Sequence, residues 1–193
     1  MKKLIIDLDD VLAIDGYLNM LNAYFKTGYK YQDIKGYYVE ELLTKEQLKE
    51  YREFFKNNNV YDYARAEVNS KYVLMKLMTM YDIYVCSKYF SDLDNTIVPE
   101  LLPRKCEFVI KNYPFLDRKN IIFTNDKSMI EADAKIDDSI DNLTGDCTKL
   151  LYSAYHNRNV TKEELDELGI IRVNNWLEIE EKLLTKQKVK SRI

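Results

Sequence analysis

Three carboxylates crowd the stretch LIIDLDDVLA, residues 4–13, where Asp7, Asp9 and Asp10 interrupt an otherwise apolar run. At the carboxyl end of a central parallel strand such side chains would face the crevice where open α/β sheets bind ligands, and would repel one another unless a divalent cation lay between them. The stretch therefore calls for a metal. Further along, Ser87 ends the apolar run VCS, Lys127 lies just past Thr124, and Asp137 with Asp138 closes the run KIDD. Each is weak alone, since a D-x-D pair often caps a helix, a serine caps and a lysine is solvated. In this order, at the ends of separate strands, they form a specific set.

The chemistry they suit is phosphoryl transfer through the protein. An aspartate carboxylate attacks phosphorus competently once a metal and a lysine neutralise the substrate, giving an acyl phosphate that water later hydrolyses. Asp7 is the candidate nucleophile. Asp9, two residues on, is the candidate general acid and base, protonating the leaving alcohol and then deprotonating the water. Magnesium fits the oxygen donors on offer, held by Asp7, the backbone carbonyl of Asp9 and Asp138, with Asp137 one layer out orienting the site. Ser87 would donate to a phosphate oxygen and Lys127 would balance the charge of phosphate and nucleophile. Asp10 is read as shaping the turn.

These residues need strands that alternate with helices. After the first strand, residues 15–70 have helical periodicity and no plausible buried strand: Leu18, Leu21 and Phe25 share a face with Gly28 as a stop, and Thr44 with Gln47 makes a capping box ahead of Leu48, Tyr51 and Phe55. A helix from Asn69 carries Val73, Leu77 and Met80. Strands follow at Ile83 to Cys86, Ile121 to Thr124, Ala134 to Ile136, Leu150 to Ser153 and, as an edge, Ile170 to Val173. Pro99 and Pro103 break the chain before a helix starting at the second of them, with Cys106, Val109, Ile110 and Tyr113 inward. Thr161 with Glu164, closed by Gly169, and Asn175 with Glu178 cap the last two helices, the final one running to about Leu184 with a frayed basic tail beyond. The expectation is an α/β fold: a Rossmann-like parallel sheet flanked by helices, residues 1–14 and 71–193, with a small helical cap, residues 15–70, inserted after the first strand.

A chain of 193 residues with 46% hydrophobic and 32% charged residues suits one globular domain with an insertion. Its formal net charge of -3 argues against a partner such as a nucleic-acid polymer. The apolar run after Lys2 and Lys3 is too short for a signal peptide or membrane span, so a cytoplasmic protein without a membrane partner is expected. Cys86, Cys106 and Cys147 lack zinc-ligand spacing and are read as reduced thiols. Among the tyrosines, Tyr37, Tyr38 and Tyr61 are the ones read as stacking on a substrate, on a base or sugar if the family resemblance given below holds. Lys88, beside Ser87, is a further candidate for substrate contact, and His156 is read as fixing a loop.

The order DLDDV, VCS, Lys127 and IDD resembles the four motifs of the haloacid dehalogenase-like phosphohydrolase superfamily. Within it, FTNDKSMIEADAKIDDSIDNL and LYSAYHN are similar to segments of the cytosolic type-C 5'(3')-deoxyribonucleotidase family. The resemblance implies a magnesium-dependent enzyme dephosphorylating deoxyribonucleoside monophosphates, with a helical cap; KGYYVEELL and NVYDYARAEV look like cap segments. The chain departs from that family at Ser87, Lys88 and Tyr89, where Thr-Ser-Pro is common, and at VNS, which replaces a Pro-Gly turn. Alternatives are a phosphatase for another small phosphomonoester or a non-catalytic phosphate-binding regulatory module. A two-component receiver domain would lack the helical insertion. The sequence leaves a homodimer open.

Overall fold

A computed structural model of the chain describes residues 1–89 and 100–190, the side chains of 185–190 excepted. Pro99 lies outside the described residues, as does the end of the basic tail, residues 191–193. Strand β1 (Lys2–Ile6) is the centre of a six-stranded sheet with β4 (Tyr81–Ser87), β5 (Ile121–Phe123), β6 (Ala134–Asp137), β7 (Thr148–Tyr152) and β8 (Ile170–Val173), in the order β5-β4-β1-β6-β7-β8. Every pairing in it is parallel. The chain runs outward from β1 through β4 to β5 and then returns to β6 on the other side. The strand order thus reverses at β1, which opens a crevice at its carboxyl end. Continuous apolar runs make these strands because both faces are covered: Leu4 and Ile6 are fully buried, and so are Leu150 and Leu151.

The insertion leaves and rejoins the core through a two-residue antiparallel ribbon, β2 (Ala13–Ile14) against β3 (Arg65–Ala66), which sequence periodicity did not reveal. Between them lie α1 (Gly16–Phe25) and α2 (Lys45–Asn57). The first ends earlier than Gly28 suggests, because Lys26 itself takes the left-handed capping conformation at φ 53°. Thr44 and Gln47 form the expected capping box on α2. Tyr24, Phe25, Tyr51, Phe54 and Phe55 pack as rings against one another and are continuous with the core under the sheet.

Helix α3 (Ser70–Leu77) is shorter than expected, and Tyr81 already belongs to β4. Helix α4 (Leu101–Asn112) starts two residues before Pro103, which sits in the first turn where its missing N-H has no intrahelical partner to lose. Helix α5 (Lys162–Glu167) has its Thr161–Glu164 capping box and is followed by Gly169 at φ 63°. In α6 (Trp176–Lys190), Asn175 caps Glu178 as expected, but the helical backbone runs six residues past Leu184. Trp176 is fully buried and its indole N-H donates to Val11 O at 3.2 Å, tying the last helix to the turn after β1. The three cysteines are free. Among the described residues, no helix is long and apolar enough to cross a membrane.

Candidate active site

Asp7 follows β1 directly, Ser87 ends β4, Lys127 opens a 3-10 turn after β5, and Asp137 ends β6 with Asp138 beyond it. The four strand ends therefore converge at the crevice. The buried Lys127 ammonium lies 2.6 Å from Asp7 Oδ1 and 2.7 Å from Asp137 Oδ2. The other oxygen of Asp137 accepts from Asn142 Nδ2 at 2.9 Å and from the Ser139 N-H at 3.0 Å, so both of its oxygens are engaged. Asp138 is held by its backbone: Asn157 Nδ2 donates to its carbonyl and to that of Tyr152, while Arg172 fixes the Asn157 side chain. His156 Nε2 shares a 2.7 Å hydrogen bond with Asp138 Oδ2.

Asp9 sits in a separate clasp. Its Oδ1 accepts from Tyr61 OH at 2.6 Å, and its Oδ2 from Lys105 Nζ at 2.8 Å and Ser87 Oγ at 3.2 Å. Lys105, only 2% exposed, also reaches Ser87 Oγ and the Lys88 carbonyl, each at 2.7 Å. Burial alone would raise the Asp9 pKa, but Lys105 and the three donors outweigh it and hold the group below the ordinary carboxylate value. Tyr61 is accordingly buried under the site, tilted against Phe108, and does not line the cleft.

The cleft, roughly 810 Å³ including its mouth, runs from this carboxylate cluster to residues 37–40. Tyr17, Tyr37, Tyr38, Glu40, Tyr155 and His156 line it as well, and so does Lys88. Tyr37 packs on the His156 ring at 4.4 Å between centroids, and Tyr155 OH donates to the Tyr37 carbonyl at 2.9 Å. Arg158 donates to the carbonyls of Tyr31 and Ile34, so the insertion's loop is fastened to the segment after β7.

Burial lifts the Glu40 carboxyl from 4.5 to about 7, against its own N-H and Arg52, which lower it. A carboxyl whose folded pKa is raised favours the native state below the unfolded pKa, and that advantage is lost as pH climbs through the folded pKa. Glu40→Gln is therefore expected to gain stability over wild type between about pH 4.5 and 7. The gain should reach on the order of 3 kcal/mol or less above pH 7 and vanish at pH 4, read from urea midpoints across that range.

Residues 1–189 match the family described as 5' nucleotidase, deoxy (pyrimidine), cytosolic type C protein. The chain belongs to this family. The 5'(3')-deoxyribonucleotidase of Bacillus subtilis (strain 168) is 34% identical over 192 residues, covering 95% of this chain and 100% of the relative. A putative 5'(3')-deoxyribonucleotidase of Staphylococcus aureus (strain MSSA476) is 28% identical over 194 residues, covering 95% and 96%. In fold, a haloacid dehalogenase-like family hydrolase from Streptococcus pneumoniae superposes with a TM-score of 0.53 at 16% identity, over 93% of this chain and 96% of that one. The six-stranded parallel core is thus the haloacid dehalogenase-like fold expected from the motifs.

In this nucleotidase-family chain the predicted residues Asp7, Asp9, Ser87, Lys127, Asp137 and Asp138 come together at one end of the cleft, and Tyr37, Tyr38 and Lys88 line it. Lys105 went unread in the sequence, although it stands four residues after Leu101 and three before Phe108 on the buried stripe of α4. A lysine at such a position has to find a carboxylate. Carboxylate oxygens of Asp7, Asp137 and Asp138 lie within 4.8 Å of one another, as do ligand atoms of Asp10, Asp138 and His156. Burial and neighbouring carboxylates push Asp7 up to about 6 and Asp10 and Asp138 above their ordinary values. Buried oxygen donors under that like-charge strain are the donor set a hard divalent cation fits. Asp10, at φ 55°, shapes the turn as read, and it also faces the cleft.

Proposed function

We propose that this phosphomonoester hydrolase is a magnesium-dependent 5'(3')-deoxyribonucleotidase of the cytoplasm, working through a phosphoryl group carried on Asp7. The observation that carries this is the pairing of Asp7 with Lys127 at 2.6 Å inside a buried site where Asp9, two residues on, stands apart in its own set of donors. Two carboxylates two residues apart thus receive different environments, which is what different roles require.

Asp7, Asp138 and the Asp9 carbonyl would hold the magnesium, with Asp137 behind them, its oxygens already used by Lys127, Asn142 and the Ser139 N-H. The ion supplies charge neutralisation for the phosphate. Lys127 restrains Asp7, leaving its second oxygen for attack, and its charge offsets the phosphoryl group as it arrives. Ser87 and Lys105 line the same end of the cleft and are the donors for the remaining phosphate oxygens. As the dianion draws them to itself, Asp9 Oδ2 loses its cation and binds a proton more readily, and that proton goes to the leaving alcohol. Asp9 then takes a proton from the water that hydrolyses the acyl phosphate. Tyr61, bonded to the opposite oxygen, keeps the carboxyl aimed through both steps. Residues 15–70 act as the cap, with Tyr37 and Tyr38 against the nucleoside.

Phosphate release should be measured on 5' and 3' monophosphates with deoxy and ribo sugars, with magnesium and with excess chelator. Turnover of deoxyribonucleotides that disappears with chelator is the expected result. Undiminished turnover in chelator would remove the metal, and turnover confined to non-nucleotide esters would remove the substrate class.

A further inference from the structure

Glu40 is a charged-type side chain lining the cleft for which the chemistry above has no use. It is 8% exposed and is among the residues that line the cleft. Among the described residues, its own N-H and the charge of Arg52 are what lower its pKa against burial. A buried carboxyl with no hydrogen bond beyond its own N-H is under-satisfied, at a cost of about 1 to 3 kcal/mol per group left unmade, and a ligand in the cleft could complete it.

Its neighbour explains why this acid and not another is left over. Glu41 folds back to accept from the Tyr37 and Tyr38 N-H groups at 3.0 and 3.2 Å, over Gly36, where any side chain would collide with the Glu41 carboxyl. Glu41 is thus consumed in shaping the loop, and the 3-10 turn Val39–Leu42 directs Glu40 to the inside. There it lines the same cleft as Tyr37 and Tyr38, with Tyr17 and Tyr155 close enough to feel its charge. Burial that lifts the carboxyl to about 7 keeps the neutral acid populated at neutral pH, so the group can donate from one oxygen and accept at the other. A donor next to an acceptor is the pattern on the Watson-Crick edge of every nucleobase: the ring N3 and exocyclic amine of cytosine, N3-H and O4 of thymine, N1 and the amine of adenine, N1-H and O6 of guanine.

We propose that Glu40 is a base-reading residue, its carboxyl pairing with the hydrogen-bonding edge of the substrate's nucleobase. This rests on the nucleotidase reading of the same cleft. The experiment is therefore one of binding, and does not need turnover. Dissociation constants are measured in excess chelator for the four deoxyribonucleoside 5'-monophosphates and for 2-deoxyribose 5-phosphate, which has the sugar and phosphate but no base.

Glu40→Leu is expected to weaken the nucleotides about tenfold or more while changing the base-free compound less than twofold. Glu40→Gln, which keeps one donor and one acceptor, is expected to recover most of the nucleotide affinity, while Glu40→Ala, expected to lose it as the leucine variant does, gives the answer if the leucine variant fails to fold. A parallel loss for nucleotides and the base-free compound, or unchanged nucleotide affinity once the carboxyl is removed, would overturn the proposal. Nucleotidase turnover that fails while nucleotide binding still depends on Glu40 would sink the catalytic reading alone.

Discussion

Asp7→Asn is expected to abolish phosphate release, by roughly 10³-fold or more, while the protein folds as before. The amide has the shape of the carboxylate but cannot attack phosphorus. Folding should not suffer, because the Asp7 carboxyl is buried beside Asp137 and Asp9 and is pushed up to about 6 despite Lys127. A folded-state pKa above the unfolded one means that ionised Asp7 opposes folding once pH exceeds it. In metal-free buffer at pH 7.5 the variant should accordingly melt at or above the wild-type temperature. Differential scanning calorimetry with a phosphate-release assay on one preparation checks both halves. Full activity in the variant would remove the nucleophile assignment, and inactivity with a collapsed melting temperature would show only that the fold had been lost.

Lys127→Met should be the most damaging single change to stability. Lys127 is the cation between Asp7 and Asp137, with side-chain exposures of 3%, 9% and 5% in that order. Removing it leaves two buried carboxylates facing one another, and breaking a buried pair from one side typically loses about 3 to 5 kcal/mol. The loss should depend on pH in a definite direction. The orphaned carboxylates will titrate above their unfolded values, so the deficit is small near pH 4, where both chains are protonated, and grows as pH rises. Urea unfolding at pH 4.5 and 7.5 measures this; an equal deficit at both would mean that packing of the lysine stem, not its charge, carries the effect. Phosphate release should fall as well, since the charge that offsets the phosphate is gone.

The parallel sheet was legible because its strands are short continuous apolar runs that end in polar residues, and a period of that kind survives without knowledge of partners. Capping boxes at Thr44 and Thr161 were legible for a similar reason, being interactions within four residues. What local pattern could not reveal are features settled over long separations. The β2-β3 ribbon pairs residues about fifty apart and is too short for periodicity to register. Helix α3 stops where β4 must begin its pairing with β1, although the apolar spacing continues past Leu77. Lys105 meets Asp9 across 96 residues, and Tyr61 meets it across 52. The sequence assigned Tyr61 to the substrate because tyrosines suit bases; its hydroxyl instead found a carboxylate from the far side of the chain. Motif order, by contrast, located Asp7, Ser87, Lys127 and Asp138 together, since strand ends in a parallel sheet share one edge whatever lies between them.

The most direct test of the account is to catch the phosphoryl group on the protein. Enzyme mixed with a deoxyribonucleoside 5'-monophosphate and magnesium is quenched in acid within its first turnovers, and the intact mass and the peptides are read by mass spectrometry. A phosphoryl adduct on the peptide that contains Asp7, absent from Asp7→Asn, is the predicted result. Continued phosphate release with no adduct at any quench time, or an adduct on a different residue, would contradict it.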